Sequence, residues 1–432
     1  MLTAQDWRKV GGSSVELMLA SPATGPVDAV WFSADGSMLL VRTRSGRVFE
    51  TADYENWTPV TPAPEPPAAA PASAARLPEA GARVISTATT PGRIWALGRQ
   101  LFSSQDGGRS WDNLTAYQSA SVIGPGQHSV AVSPADPDQL VVANDYGVWR
   151  SLDGGRSWTG LNQSLPNLAV RRILSTPSGR AGVRIQAENL GVLELTPGTQ
   201  VWLPVSSAEL QTEVRLRAAY SKMVGAEISA VASADRTVYI GSADGRLWVS
   251  IDGGQSFRAT QTPIGTAGRV ERIYVDPIEP RVALAAVSYA NGAGPRVLRT
   301  TNSGDFWDAL DGNLPEGAVH GITADRAAGA VYVATDRGVF YAQTDLEGAS
   351  PPMVSWTSLS DRLPAAPAMD VRLGPGGVQL YAALDGYGAF AVAAPHHARN
   401  LRIVNAADFS TRAAAPGSLL SVLGGQVKSA SA

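Results

Sequence analysis

The sequence predicts an all-β chain arranged as a single β-propeller of four-stranded antiparallel blades, eight of them with seven as the alternative, closed by an N-terminal strand. Three observations carry that expectation. A short turn motif ending in an aromatic residue recurs about every fifty residues. Runs of about five β-branched and aromatic residues alternate with clusters of Gly, Pro, Asp and Asn. No segment sustains a helical period.

The motif comes first because it sets the register of everything else. Ser104-Gln105-Asp106-Gly107-Gly108-Arg109-Ser110-Trp111 recurs as Ser151-Leu152-Asp153-Gly154-Gly155-Arg156-Ser157-Trp158 and as Ser250-Ile251-Asp252-Gly253-Gly254-Gln255-Ser256-Phe257. A weaker copy runs Thr300-Thr301-Asn302-Ser303-Gly304-Asp305-Phe306-Trp307, and degenerate ones end at Trp57, Trp202 and Trp356. With Trp7 the closing aromatics stand at 7, 57, 111, 158, 202, 257, 307 and 356, spacings of 44 to 55. Each residue type suits a tight hairpin. The Asp accepts hydrogen bonds from backbone N–H groups of its own turn, the glycines supply positive φ, and the aromatic packs between sheets.

Each unit then reads as four short strands. In the third unit they are Ser129-Val130-Ala131-Val132, Gln139-Leu140-Val141-Val142-Ala143, Gly147-Val148-Trp149-Arg150-Ser151 and Ser157-Trp158-Thr159-Gly160. First strands are expected near Val27, Val84, Ser129, Val170, Ile228, Val270, Val319 and Met369. The last unit has only three strands, ending near Val392, and Asp6-Trp7-Arg8-Lys9-Val10 supplies the fourth, which removes an exposed sheet edge. Residues 1–395 are thus expected to form the propeller. Within it, the Pro/Ala-rich stretch 61–80 is read as a surface loop between blades one and two, too poor in strand-forming residues to pack.

Composition excludes several functions. The 432 residues include no Cys, so disulfides, thiolate metal sites and a Cys nucleophile are ruled out. A net charge of −3 with 17% charged residues offers no field for nucleic acid. No apolar run approaches a membrane span, and the start lacks the pattern of a signal peptide. No cofactor motif is present, and His is too scarce for a metal site: His396 and His397, being adjacent, are expected to point their rings apart.

Chemistry is therefore sought at the starts of the innermost strands, where a propeller meets its ligands. Asp28, Glu271 and Asp370 are the candidates for an acid/base pair of a glycoside hydrolase. Arg83, His128, Arg171, Arg172, Arg272 and His320 are the candidates for binding an anionic or sugar ligand. The simpler reading is that these groups line a wet channel and compensate one another. The turn residues Asp106, Gly108, Trp111, Asp153, Gly155, Trp158, Asp252, Gly254, Phe257, Asn302, Gly304 and Trp307 are read as structural, since a catalytic group does not recur once per blade.

The repeated motif resembles the Asp-box, or BNR repeat, of sialidases, sortilin-type receptors, the photosystem II assembly factor and xyloglucan-degrading endoglucanases. Asp136-Pro137-Asp138-Gln139-Leu140-Val141-Val142-Ala143 through Trp158-Thr159-Gly160-Leu161 carries the resemblance best. It implies a propeller. It transfers no catalytic set: the Arg-Ile-Pro element of sialidases is missing, no Tyr–Glu pair maps, and the endoglucanases use two propellers where this chain has room for one. The tail, with Val404-Asn405-Ala406-Ala407 and Ala415-Pro416-Gly417-Ser418, resembles the opening of a C-terminal module of secreted acidobacterial proteins. Residues 396–432 are accordingly expected to be a linker and the truncated start of a β module. The function expected is a monomeric, non-catalytic propeller that binds a protein or glycan on its channel face. It would belong to a larger secreted, cell-surface or periplasmic protein, with a glycoside hydrolase or a structural spacer as alternatives.

Overall fold

The computed structural model describes residues 6–11, 19–21, 24–117, 120–178, 182–195, 202–263, 268–290, 294–397, 402–405 and 420–423. These residues are almost entirely β and form many four-stranded antiparallel sheets, an architecture consistent with a β-propeller. The inner strands begin at Val27, Arg83, Gln127, Val170, Ile228, Gly268, Val319 and Ala368, each within two residues of expectation. Each is followed in simple meander order by its neighbours, so the sheets can be numbered one to eight along the chain. The N-terminal strand Arg8–Lys9 pairs with Gly388–Ala393 and completes the eighth sheet, as its sequence position requires.

The turns do what their residue types allow. Asp106 Oδ1 accepts from the Arg109 and Ser110 N–H groups at 2.9 and 3.0 Å, while the Ser104 hydroxyl accepts from Gly108 N–H at 2.9 Å. Asp153 and Asp252 repeat the same set. Even the degenerate copy keeps the chemistry, with Asp53 accepting from the Glu55 and Asn56 amides. These bonds favour the ionised carboxylate, and the Ser157 bonds hold the Asp153 acid down at about 2. The copy expected before Trp202, at 196–198, lies outside the described residues.

Three of the closing tryptophans latch one sheet to another. Trp356 Nε1 donates to Leu310 O at 2.8 Å, Trp158 Nε1 to Leu114 O at 2.8 Å, and Trp7 Nε1 to Leu359 O at 2.6 Å. In all three the acceptor lies three residues beyond the closing Trp of the neighbouring unit. Trp7 therefore latches as the unit that follows Trp356. The third-strand aromatics Phe49, Trp149, Trp248 and Phe340 are buried, as are Trp31 and Trp95.

The order in which sheets pack departs from chain order at two places. Sheets five, six, seven and eight pack successively, with cores built from Tyr239 and Trp307, from Ile322 and Trp356, and from Tyr332 and Phe390. Sheet four follows sheet eight, its Val170, Ile173 and Ile185 lying against Tyr381 and Ala391. Sheets two and three pack through Trp95 and Trp149. Sheet one then lies on sheet three, its Val30, Val41 and Phe49 against Val141 and Val148.

The chain is not purely β. Ala208–Val224 is a 17-residue helix, α1, inserted between sheets four and five. Ser207 caps it by accepting from Leu210 N–H, and Gly225 ends it at φ 66°. Its apolar stripe is weak because one small patch suffices: Tyr220 meets Phe257 edge-on at 4.8 Å, and Val224 and Ala226 complete the contact with sheet five. A Cβ on Gly254 would stand 2.4 Å from the Tyr220 hydroxyl, so this turn glycine also makes room for the helix. The Pro/Ala-rich stretch likewise differs from a free loop. Ala70–Pro71 adds a short exposed strand to the inner edge of sheet two, where a proline is tolerated, and Ala75 and Arg76 N–H bond to Gly107 and Gly108 O. Beyond sheet eight, Arg402–Asn405 pairs with Leu420–Leu423, and the rest of the tail motif lies outside the described residues.

Candidate functional site

The inner strands of sheets four to eight and helix α1 enclose a cavity of about 280 Å³. Five of the nine channel-face candidates line it: Arg171, Arg172, Glu271, Arg272 and His320. Asp370 stands behind Arg272, with Oδ1 3.5 Å from its Nε and Oδ2 accepting from Ile173 N–H at 2.9 Å. The Ile173 bond crosses from sheet four to sheet eight, so Asp370 also fixes the joint between them.

Helix α1 contributes the groups that sequence reasoning missed. Glu213 accepts from Arg172 through both oxygens at 2.9 Å and from Arg217 at 2.6 Å. Arg269 lies 3.5 Å from Glu271, whose other oxygen accepts from the Ser288 hydroxyl at 2.5 Å. Arg171 pairs with Glu188 on the sheet-four side. Five arginines thus meet in one cavity, and each carboxylate near them already holds a cation. Burial holds Arg217 and Arg272 below the ordinary arginine value, and their neighbouring arginines push in the same direction. Among the described residues the Nε of each is buried and makes no hydrogen bond, Arg272 Nε having only the ion-pair contact with Asp370. A cluster of this kind is paired well enough to exist without a ligand, yet it keeps donor capacity for a planar anion. No helix was expected from the sequence; the signal that marks it is its caps, Ser207, Glu209 in the first turn and Gly225 beyond the last.

The remaining candidates stand apart. Asp28 pairs with Arg44 at 2.6 Å, and Arg44 reaches His128 at 2.8 Å and Asp145 at 3.3 Å. Arg83 donates to His128 O at 2.5 Å. This second cluster belongs to sheets one to three, because sheet one packs on sheet three rather than closing against sheet eight. The two clusters meet neighbours of a third, in which Arg47 bridges Glu188 at 2.7 Å and Asp385 at 3.1 Å. All three carboxylates proposed for acid/base work, Asp28, Glu271 and Asp370, are ion-paired. A larger cavity of about 580 Å³ lies between sheet one and Tyr387, lined by Phe49, Trp57, Pro59 and Pro166.

The adjacent histidines overturn one expectation. The chain turns through a short 3-10 segment, Pro395–His397, so both rings face Asp325 instead of diverging. Their Nε2 atoms lie 3.2 and 3.8 Å from Asp325 Oδ2. Burial, with His397 adding to it, holds the His396 imidazole below its ordinary value.

No protein-family model and no curated protein matches the chain. Among solved structures it is similar to a glycoside hydrolase family 74 xyloglucanase from Xanthomonas campestris, with 19% identity and a TM-score of 0.29, covering 88% of this chain and 59% of that one. YCF48 bound to a D1 peptide is 14% identical with a TM-score of 0.23, covering 78% of this chain and 96% of that one. The Swd1 β-propeller domain of Myceliophthora thermophila is 10% identical with a TM-score of 0.28, covering 86% and 97%. The chain spans 59% of the length of the xyloglucanase. Likeness at these values says nothing of activity.

Proposed function

We propose that the protein is a non-catalytic binding propeller whose channel face takes an anionic group of a protein or glycan partner. The observation that carries this reading is the cavity beside α1, which Arg171, Arg172, Arg217, Arg269 and Arg272 line together. Glu271 and Asp370 are each ion-paired with a guanidinium, which suits them to holding the cavity's cations in place. The recurrent turns are assigned to the Asp-box type and the architecture to eight blades over residues 1–395, with 396–432 lying outside them. Monomeric behaviour and export belong to the same reading.

A binding array of acidic, sulfated and neutral glycans together with acidic peptides tests it. The full chain is expected to retain anionic ligands selectively, and Arg269→Ala is expected to weaken that retention while the fold persists. Turnover of xyloglucan or a sialoside that disappears in Glu271→Gln would establish the hydrolase instead. That second reading rests on Glu271 lining the cavity, with Asp370 behind Arg272. Binding of nothing in the array would favour the structural spacer.

A further inference from the structure

The inner strand of sheet seven, Val319–Asp325, carries a side chain able to bind a ligand near each end. His320, at its start, faces the arginine cavity. Asp325, at its far end, is separated from it by five residue steps, roughly 16 Å of extended chain. The two ends therefore open on opposite faces of the molecule, and what gathers at Asp325 owes nothing to the cavity.

Three ligand atoms converge there. One oxygen of Asp325, one nitrogen of His396 and one of His397 all lie within 4.8 Å of one another. A tetrahedral ion held at the usual Zn–N and Zn–O lengths of about 2.1 Å separates its ligand atoms by about 3.4 Å. The observed 3.2 and 3.8 Å from Asp325 Oδ2 to the two Nε2 atoms bracket that edge.

The surroundings aim these atoms. Asp325 Oδ1 accepts from Ala328 N–H at 3.2 Å, which turns Oδ2 toward the imidazoles. His396 Nδ1 is 2.6 Å from the Tyr332 hydroxyl. With Nδ1–H donating to that hydroxyl, the lone pair of Nε2 is left for a metal, the arrangement in which outer partners commonly fix a ligating histidine. Space is left as well. A Cβ on Gly377 would fall 2.8 Å from Asp325 Oδ2 and 3.4 and 3.5 Å from the His397 and His396 Nε2 atoms, so the position where all three point is kept open by the lack of a side chain. His396 is sealed, with 2% of its side chain exposed, whereas His397 and Asp325 are partly open to water at 29% and 24%.

We infer that Asp325, His396 and His397 form a site for one divalent cation of the zinc class, with a water molecule as the fourth ligand. Two neutral imidazoles and one carboxylate suit Zn²⁺ or Co²⁺ and do not suit Mg²⁺ or Ca²⁺, which prefer oxygen ligands throughout. The ion joins the segment leaving sheet eight to the first turn of sheet seven.

The test uses untagged full-length protein stripped with EDTA and titrated with Zn²⁺ by calorimetry and with Co²⁺ by visible absorption. One equivalent of each is expected, with the intense ligand-field bands of tetrahedral Co²⁺. His397→Ala and Asp325→Asn are each expected to weaken binding by at least 10-fold, and Tyr332→Phe by about 10-fold. Gly377→Ala, which touches no ligand bond, is expected to lower affinity by filling the site. His128→Ala and His320→Ala leave binding unchanged, and circular dichroism reports whether each variant is folded. Absence of binding by the folded protein, or binding that survives His397→Ala, would overturn the inference, as would binding lost in His128→Ala or His320→Ala.

Discussion

Sheets four to eight and sheets one to three are built from the same repeat, yet they pack by different rules of succession. In the first group sheets five to eight follow one another along the chain, and sheet four then takes the place beyond sheet eight. In the second, sheet one follows sheet three. Repetition explains why both are available. Every sheet presents one face of Val, Ile and Leu and closes on a similar aromatic, so the faces are nearly interchangeable. What decides between them is the exception to the repeat. Helix α1 covers the face of sheet five through Tyr220, and sheet four buries its own core against sheet eight instead.

The largest effect that tests this comparison is all-or-none. Leu168 and Tyr387 form an isolated parallel bridge between the start of sheet four and the last hairpin. In a chain without cysteine, Leu168→Cys with Tyr387→Cys is expected to give a single internal disulfide on mild oxidation, detected as a mobility shift reversed by reductant. If only intermolecular crosslinks form, sheet four does not follow sheet eight and the contrast between the two regions falls.

A smaller effect separates the regions by stability. Trp356 is buried and its Nε1 is satisfied by Leu310 O. Trp57 is only half-buried, and its Nε1 finds no hydrogen-bond partner among the described residues. Trp356→Ala is expected to cost about 3–5 kcal/mol in denaturant unfolding and Trp57→Ala clearly less. Equal losses would mean that sheet one is held as firmly as sheet seven.

The smallest effect is that of acid. The turn carboxylates are depressed in the fold, Asp153 to about 2, so their contribution is full above the unfolded value of about 3.9 and is lost as pH falls through the folded one. Sheet six carries Asn302 at the same position, which does not titrate, and its side-chain oxygen accepts from Phe306 N–H at 3.1 Å. Between pH 4 and pH 2, amide exchange corrected for its intrinsic rate should rise at Ser157, which bonds to Asp153, but not at Phe306. A uniform rise would assign acid sensitivity to the whole molecule and not to these turns.

Local structure was legible because its causes are local. The Asp-Gly-Gly turns, the strand starts and the fourth strand lent by Arg8–Lys9 follow from residue types at fixed spacing. Helix α1 escaped because its buried side is little more than Tyr220, so no apolar period announces it, although Ser207 and Gly225 mark its ends. Six of the nine channel residues gather around the arginine cavity, while Asp28, Arg83 and His128 do not, and that division depends on which interchangeable face meets which. The convergence of His396 and His397 on Asp325 was hidden for a different reason. Neighbouring side chains diverge on an extended strand, and one short turn after Ala394 reverses that rule.

The bond from Trp7 to Leu359 joins residues 352 positions apart. During synthesis at 5–20 residues per second, the partner strand ending at Ala393 emerges roughly 20 to 80 s after Arg8 and Lys9. For that interval Arg8 and Lys9 must stay unpaired beside growing sheets whose edges would accept them. Its own residues, two basic side chains bounded by Trp7 and Val10, are poor at extending a foreign sheet and good at closing this one. A strand made hundreds of residues before its partner is thus among the last to find its place.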